Sequence, residues 1–400
     1  MDFTISSSVQ DLARRVRAFV DTHVLPLEHD MLHGATITRE DVLALRDLAR
    51  AEGLFAPTMP KDLGGLGLPL PDWIPVLEAA GRSLLGPLAI HCSAPDEGNM
   101  HTLHLFANDE QHETYLRPLA AGRVFSGFSM TEPPNGAGSD PTMIQTSATR
   151  DGDDWVINGH KWYTSNGEVA DFFLIMARTT PDVPAHKGCS IFLAPATTPG
   201  INIVRDVPTM GLHDFGGHVE IKYENVRLPH SALMGEEGQG FAITQARLGP
   251  ARLTHCMRWT GIAQRALEIA TQYAMRRDAF GKKLMEHEAV AFMLADSEVE
   301  LHAARLMMQQ AAWLLGQGDQ ARTETSMTKL YISEAVNRII DRAVQICGGT
   351  GISRDLPLSH WYESARAFRI YDGASEVHRM VTARAVAKKY GMGENMTWAR

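Results

Sequence analysis

From about residue 7 to 120, apolar positions recur three and four apart, as in VQDLARRVRAFVDTHVLPLE and REDVLALRDLARAEGL. That is the period of a helix burying one stripe. The loop PTMPKDLGGLGLPLP, residues 57–71, interrupts these helices. From about 123 to 230 the pattern changes to short β-rich runs, VFSGFSMT, WVINGHKWYT, FFLIMART, CSIFLA, INIVRDV and HVEIKYENVRL, separated by Gly, Pro, Asn and Asp clusters. Such spacing predicts a small antiparallel barrel or sandwich rather than alternating βαβ units. After GEEGQGF, residues 235–241, long helical segments return and run to about residue 390. The expected architecture is therefore α+β and multidomain: a helical domain over 1–122, a β-barrel over 123–232 and a helical bundle over 233–400.

Four hundred residues, 44% hydrophobic and 21% charged, are ample for a sizeable core. A formal net charge of -9 argues against a general nucleic-acid or membrane-surface binder, which needs clustered positive charge, so a small-molecule substrate fits better. Cys92, Cys189, Cys256 and Cys347 lack zinc-site spacing and disulfide density, which points to free buried thiols in a reducing compartment. No signal peptide opens the sequence, no run approaches the ~20 apolar residues of a membrane span, and the final MTWAR is no peroxisomal address. A cytoplasmic location is expected.

Most standard catalytic signatures are absent. There is no GxSxG elbow, Walker A loop or HExxH pair. SMTK, residues 326–329, matches S-x-x-K but lacks its S-D-N and K-T-G partners. GGTGIS at 348–353 follows a helix rather than a strand, so it reads as a helix C-terminal turn and not as a dinucleotide fingerprint. The 17 histidines, His213, His218, His255 and His378 among them, sit in unrelated contexts without metal-ligand spacing, and no metal site is expected.

Three stretches carry more. FSMTEPPNGAGSD (128–140) and GHKWYTSNG (159–167) combine hydroxyls, glycines and bulky apolar residues, a mixture suited to a flat, heteroatom-rich ring, although each alone is also a plain turn. RRDAFGKKL (276–284) sets Arg277 at a basic interhelical turn, where it suits a phosphate. RIYDGASEVHR (369–379) places Asp372 at a helix start, where capping alone accounts for a carboxylate.

Taken together and in order, PKDLGGLG, FSMTEP…GAGSD, GHKWYTSNG, NVRLP…GEEGQGF, GIAQRAL, RRDAFGKKL, QICGGTGI and YDGASEVHR resemble the acyl-CoA dehydrogenase family over nearly the whole chain. The resemblance implies a helical N-terminal domain, a middle β-barrel, a C-terminal four-helix bundle, one FAD per subunit and a homodimer or homotetramer. It places Phe128, Met130, Thr131 and Ser139 along the flavin and acyl site. Tyr163 stands for a tryptophan packed against the isoalloxazine, and Ser165 for a threonine near N5. Arg277 and Phe280, with Gln345, Gly348 and Gly349 of QICGG, match elements that reach the FAD of a neighbouring subunit. Ser375 and Glu376 match FAD contacts, while Arg252, Tyr371 and Ser139 match the substrate side. RLGPARLTHCMR is similar to a branch whose vertebrate members carry kinase-like domains, for which this chain is too short.

The resemblance further implies removal of an acyl-CoA α-proton while the β-hydrogen leaves as hydride to flavin N5, giving a trans-2-enoyl-CoA, with electron-transferring flavoprotein as acceptor. Asp372 stands where most members have the glutamate base, and the alternative position one before Arg252 is Ala251. Aspartate is shorter by about 1.5 Å of reach, and enclosure by apolar groups is expected to raise its pKa. TEPPNGAGSD is two residues longer than the common TEPGAGSD, which leaves its loop geometry open. Two rivals stay open: a flavin oxidase of the nitroalkane oxidase kind, which also uses an aspartate, and a non-catalytic acyl-CoA or flavin-binding homologue.

Overall fold

Ser6 starts the first helix: its Oγ accepts the Val9 amide at 3.3 Å, and α1 (Ser7–Phe19) turns Val9, Val16 and Phe19 inward. The computed structural model describes residues 4–392, so the closing MTWAR lies outside the described residues. α2 (Arg39–Ala51) opens on a capping box between Thr38 and Asp41. α3 (Leu70–Ala80) takes over the last two residues of the expected 57–71 loop, because Pro71 falls in its first turn, where a missing N–H breaks no helix bond. α4 (Asp96–Phe106) brings four polar side chains, Asp96, Glu97, Asn99 and Thr102, into the interior.

Eight strands follow: β1 (Ser126–Ser129), β2 (Ser147–Asp151), β3 (Asp154–Ser165), β4 (Phe172–Arg178), β5 (Cys189–Pro195), β6 (Ile201–Asp206), β7 (His218–Pro229) and β8 (Leu233–Met234). They form one sheet in the order β6-β7-β3-β2-β4-β5-β8, with β1 beside β4. The sheet is mixed rather than purely antiparallel, since β1 runs parallel to β4 and β2 meets β4 in one parallel pair, Ser147 with Arg178. It also passes the 232 boundary read from the sequence, because β8 pairs with β5. Trp155, Ile157, Phe173, Phe192, Val219, Ile221 and Tyr223 fill a core of its own.

The chain then returns to helices: α5 (Gly240–Arg276), α6 (Glu288–Gly316), α7 (Arg322–Gly351), α8 (Leu358–Phe368) and α9 (Ser375–Lys389). α5 packs on α6 and α7, and on α3 of the first domain, so the two helical regions share one apolar core. At that seam Gly81 is obligatory: a Cβ there would lie 2.1 Å from the Arg258 carbonyl oxygen. All four cysteines are buried and free. No helix among the described residues is long and apolar enough to cross a membrane.

Candidate active site

The turn from Arg369 to Ala374 joins α8 to α9, and its backbone is unusual at two successive residues. Asp372 has φ +52° and Gly373 φ +107°, both in the left-handed region. At Gly373 a side chain has no room either, since a Cβ would fall 2.7 Å from His378 Nε2. Two carbonyls of this turn, and the last carbonyl of α8 before it, are held by side chains from elsewhere. Lys329 Nζ donates to the Phe368 and Gly373 oxygens at 2.7 and 2.8 Å, and Arg252 Nε donates to the Asp372 oxygen at 2.9 Å. Asp372 is not the helix cap: Ala374 occupies that position and no side chain caps α9. The carboxylate is thus released from the structural role that its sequence position offered.

The Asp372 side chain is 22% exposed, and its Oδ2 lies 3.0 Å from His255 Nε2. Arg258 Nη2 lies 3.1 Å from His255 Nδ1 on the other side of the ring. Burial alone raises the Asp372 pKa, as expected from its sequence setting, but His255, Arg247 and Arg252 outweigh it and hold the carboxyl well below the usual carboxylate range. The expected rise is therefore reversed. The imidazole of His255 is itself pushed down by burial and by Arg258, so at neutral pH it meets Asp372 as a neutral N–H donor. Tyr371 accepts a hydrogen bond from Trp259 Nε1, and its ring lies 4.8 Å from that of His255. Phe368 packs against Tyr371 at 5.6 Å, completing an apolar wall.

Arg247 links this pocket to the other two domains. Its guanidinium stands 4.3 Å over the Phe128 ring, and its Nε donates to Asn99 Oδ1 at 3.0 Å. Asn99 donates to Ser126 Oγ at 2.9 Å, and Ser126 donates to Asp96, which pairs with Arg46 at 3.2 Å. This buried polar chain ties α2 and α4 to β1 and α5.

Residues 128–131 and 161–165 also meet. The Met130 carbonyl accepts from Lys161 Nζ at 2.8 Å, and the Thr131 carbonyl from the Trp162 amide at 3.0 Å. Glu132 settles the longer TEPPNGAGSD loop: besides its 2.9 Å contact with Lys161, its carboxylate accepts the amides of Ala137, Gln145 and Thr146 at 3.1, 2.7 and 2.8 Å. The two extra residues bulge outward from an anchored base, and Ser139 lies exposed on that loop. Tyr163 has φ +53° and leaves 45% of its surface exposed, while Ser165 Oγ lies 2.9 Å from His218 Nδ1.

The remaining expected residues are not gathered here within one chain. Arg277, at the end of α5, and Phe280, 96% exposed at φ +50°, face outward, as do Gln345, Gly348 and Gly349. Gly348 is no simple C-terminal turn, for its φ +56°, ψ -132° kinks α7 internally. Ser375 is buried at the start of α9, and Glu376 points out toward Arg379 at 3.3 Å. Sequence reasoning missed His255, His378, Arg247, Arg258 and Lys329. The histidines do not sit in unrelated contexts: His255 pairs with Asp372, His378 feels the Asp372 charge, and His213 groups with Glu168 and Asp206 within 4.8 Å. A signal existed for His255, which lies three residues, nearly one helical turn, beyond Arg252.

Comparison with known proteins matches three domain models along the chain: acyl-CoA dehydrogenase N-terminal domain over 6–123, middle domain over 127–226 and C-terminal domain over 238–387. A protein of Mycobacterium tuberculosis named "probable acyl-CoA dehydrogenase FadE2" is 41% identical, with 96% of this chain and 97% of that one aligned. The chain belongs to the acyl-CoA dehydrogenase family. Acyl-CoA dehydrogenase family member 11 of Rattus norvegicus is 38% identical over 96% of this chain, which spans 51% of that relative's length. The butyryl-CoA dehydrogenase structure from Megasphaera elsdenii superposes with a TM-score of 0.86 at 28% identity, covering 96% of this chain and 100% of that one. This acyl-CoA dehydrogenase is an oxidoreductase with FAD as cofactor, and its reaction is the FAD-dependent dehydrogenation of acyl-CoA. Its own residues fit that group: backbone and side-chain contacts bring Met130 and Thr131 against Lys161 and Trp162, next to the half-exposed Tyr163, so that hydroxyl, apolar and aromatic groups share one region.

Proposed function

We propose that this acyl-CoA dehydrogenase uses the Asp372 carboxylate to take the α-proton of an acyl-CoA thioester and forms a trans-2-enoyl-CoA. The observation that carries the reading is the accessible carboxylate of Asp372, held on a left-handed turn, with Ala374 rather than Asp372 as the helix cap.

A thioester α-proton is weakly acidic, so the base and the donors to the enolate oxygen must converge on adjacent atoms. The Asp372 N–H is such a donor, on a turn whose carbonyls at 372 and 373 are held by Arg252 and Lys329. In the resting protein the neighbouring cations stabilise the carboxylate and weaken it as a base. An acyl chain seated against Tyr371 and Phe368 expels the water that remains, and this desolvation restores basicity. Ala251 offers no competing carboxylate from α5. FAD, when bound, accepts the β-hydrogen with its electron pair.

Phe128, Met130, Thr131, Ser139, Tyr163 and Ser165 of the middle domain would hold the flavin, together with Ser375 and Glu376 of α9. The outward-facing Arg277, Phe280, Gln345, Gly348 and Gly349 serve a neighbouring subunit's FAD, which makes the working form a homodimer or homotetramer. Electron-transferring flavoprotein is the acceptor that the family reading supplies. The test is Asp372→Asn: it retains bound FAD but loses anaerobic flavin bleaching by acyl-CoA. Full retention of bleaching, or rapid turnover with oxygen alone, overturns the assignment.

A further inference from the structure

His255 sits at the head of a series of contacts to which the scheme above gives no role. Its Nε2 lies 3.0 Å from Asp372 Oδ2, and its Nδ1 lies 3.1 Å from Arg258 Nη2. A guanidinium only donates, so Nδ1 carries the lone pair and the ring proton sits on Nε2, toward the carboxylate. Arg258 is fixed in turn, since Nη1 donates to the Cys92 carbonyl and lies 3.9 Å from Glu97 Oε2. Glu97 Oε2 also accepts from Thr254 Oγ1 at 3.0 Å. Side-chain exposure rises steadily toward the pocket, from 3% at Glu97 through 9% at Arg258 and 13% at His255 to 22% at Asp372. Orientation is thus imposed from the interior outward and ends at the group that meets substrate.

We infer that His255 is a positioning residue for the base: its Nε2–H holds Asp372 Oδ2 and leaves Oδ1 to receive the α-proton. The inference rests on the assignment of Asp372 as base. In that step the α-C–H bond breaks, the proton bonds to Oδ1, and the C–H electron pair enters the thioester enolate. A short acid on a left-handed turn has little lateral freedom, and a fixed donor on one oxygen removes the rotation that remains. The charged and titratable groups around the pair are Arg247, Arg252, Cys256 and Arg258 of α5, Glu97 of α4, Lys329 of α7, His378 of α9 and Tyr371 of the turn. All of these stay in place when only His255 is changed.

The experiment compares holoenzyme carrying His255→Leu, His255→Gln or Asp372→Asn, with FAD content and acyl-CoA affinity measured alongside. Anaerobic flavin reduction is followed against pH, and NMR of 15N-histidine-labelled protein reads the His255 tautomer, assigned by its loss in His255→Gln. His255→Leu is expected to slow reduction by about tenfold or more and to move the acid limb of the profile upward, because the carboxylate loses a donor that favours its charged form. His255→Gln, which keeps an N–H donor, restores most of the rate, and the wild-type ring carries its proton on Nε2. Wild-type rate and acid limb in His255→Leu, or a proton on Nδ1 in the native ring, overturns the inference. If Asp372→Asn also bleaches at full rate, the base assignment itself fails. If only His255→Leu does so, the base stands and the role of His255 falls.

Discussion

Lys329 Nζ donates to the Gly373 carbonyl at 2.8 Å, so a lysine about two turns into α7 holds the far side of the turn that presents Asp372. The same amine donates to the Phe368 carbonyl and stands 5.1 Å over the Phe368 ring. Lys329→Met leaves one buried and one half-buried carbonyl without a donor, the buried one worth about 1–3 kcal/mol, and denaturant unfolding measures the loss. Burial pushes the Lys329 pKa down to about 8. The unfolded lysine titrates near 10.4, so between these values the unfolded chain holds the extra proton and native stability rises with pH. Below that window both states are charged and the site gives no pH dependence. The stability gap between the wild type and Lys329→Met should therefore widen from about pH 8 to pH 10, and a constant gap refutes the coupling.

Gly373→Ala combines a left-handed φ of +107° with a Cβ 2.7 Å from His378 Nε2. The expected outcome is about 1–3 kcal/mol of lost stability with near-normal FAD content and a much larger drop in thioester-dependent flavin reduction. Equal losses in FAD content and reduction would locate the damage elsewhere.

Glu132→Gln tests the anchor beneath the loop proposed to hold the flavin. Burial alone raises the Glu132 pKa, but the Lys161 charge and the Thr146 and Gln145 donors bring it below the usual carboxylate range. A depressed carboxylate contributes stability above its unfolded pKa and loses it as pH falls through the folded one. Wild-type protein should shed FAD as acid reaches that range, whereas Glu132→Gln sheds it already at neutral pH with a flatter profile. Flavin absorbance retained after gel filtration is the measurement.

Arg46→Leu strips the partner from buried Asp96, whose pKa is already raised by burial. Breaking a buried pair from one side costs about 3–5 kcal/mol. Arg46→Leu with Asp96→Leu should be less destabilised than the sum of the two single variants, as a double-mutant cycle in urea would show.

Helical periodicity, the β-rich middle and the run of family motifs were legible in the sequence because they depend on local spacing. So was the candidacy of Asp372 as base, since it sits within a contiguous motif. The pKa direction was not legible: YDGAS holds no cation, and the groups that reverse the burial effect come from α5, more than a hundred residues earlier. SMTK read as a rejected catalytic signature, yet its lysine proved to be the clamp on the turn that carries Asp372.

By itself, the sequence determined which segments become helices and strands and which motifs line up, because hydrophobic period and turn chemistry are properties of neighbouring residues. Only the tertiary structure decided that Asp372 is free of the helix cap, that His255 and Arg252 meet it, and that Lys329 holds its turn. Burial and Coulomb interaction depend on distance in space, and folding brings these groups together from α5, α7 and the turn before α9.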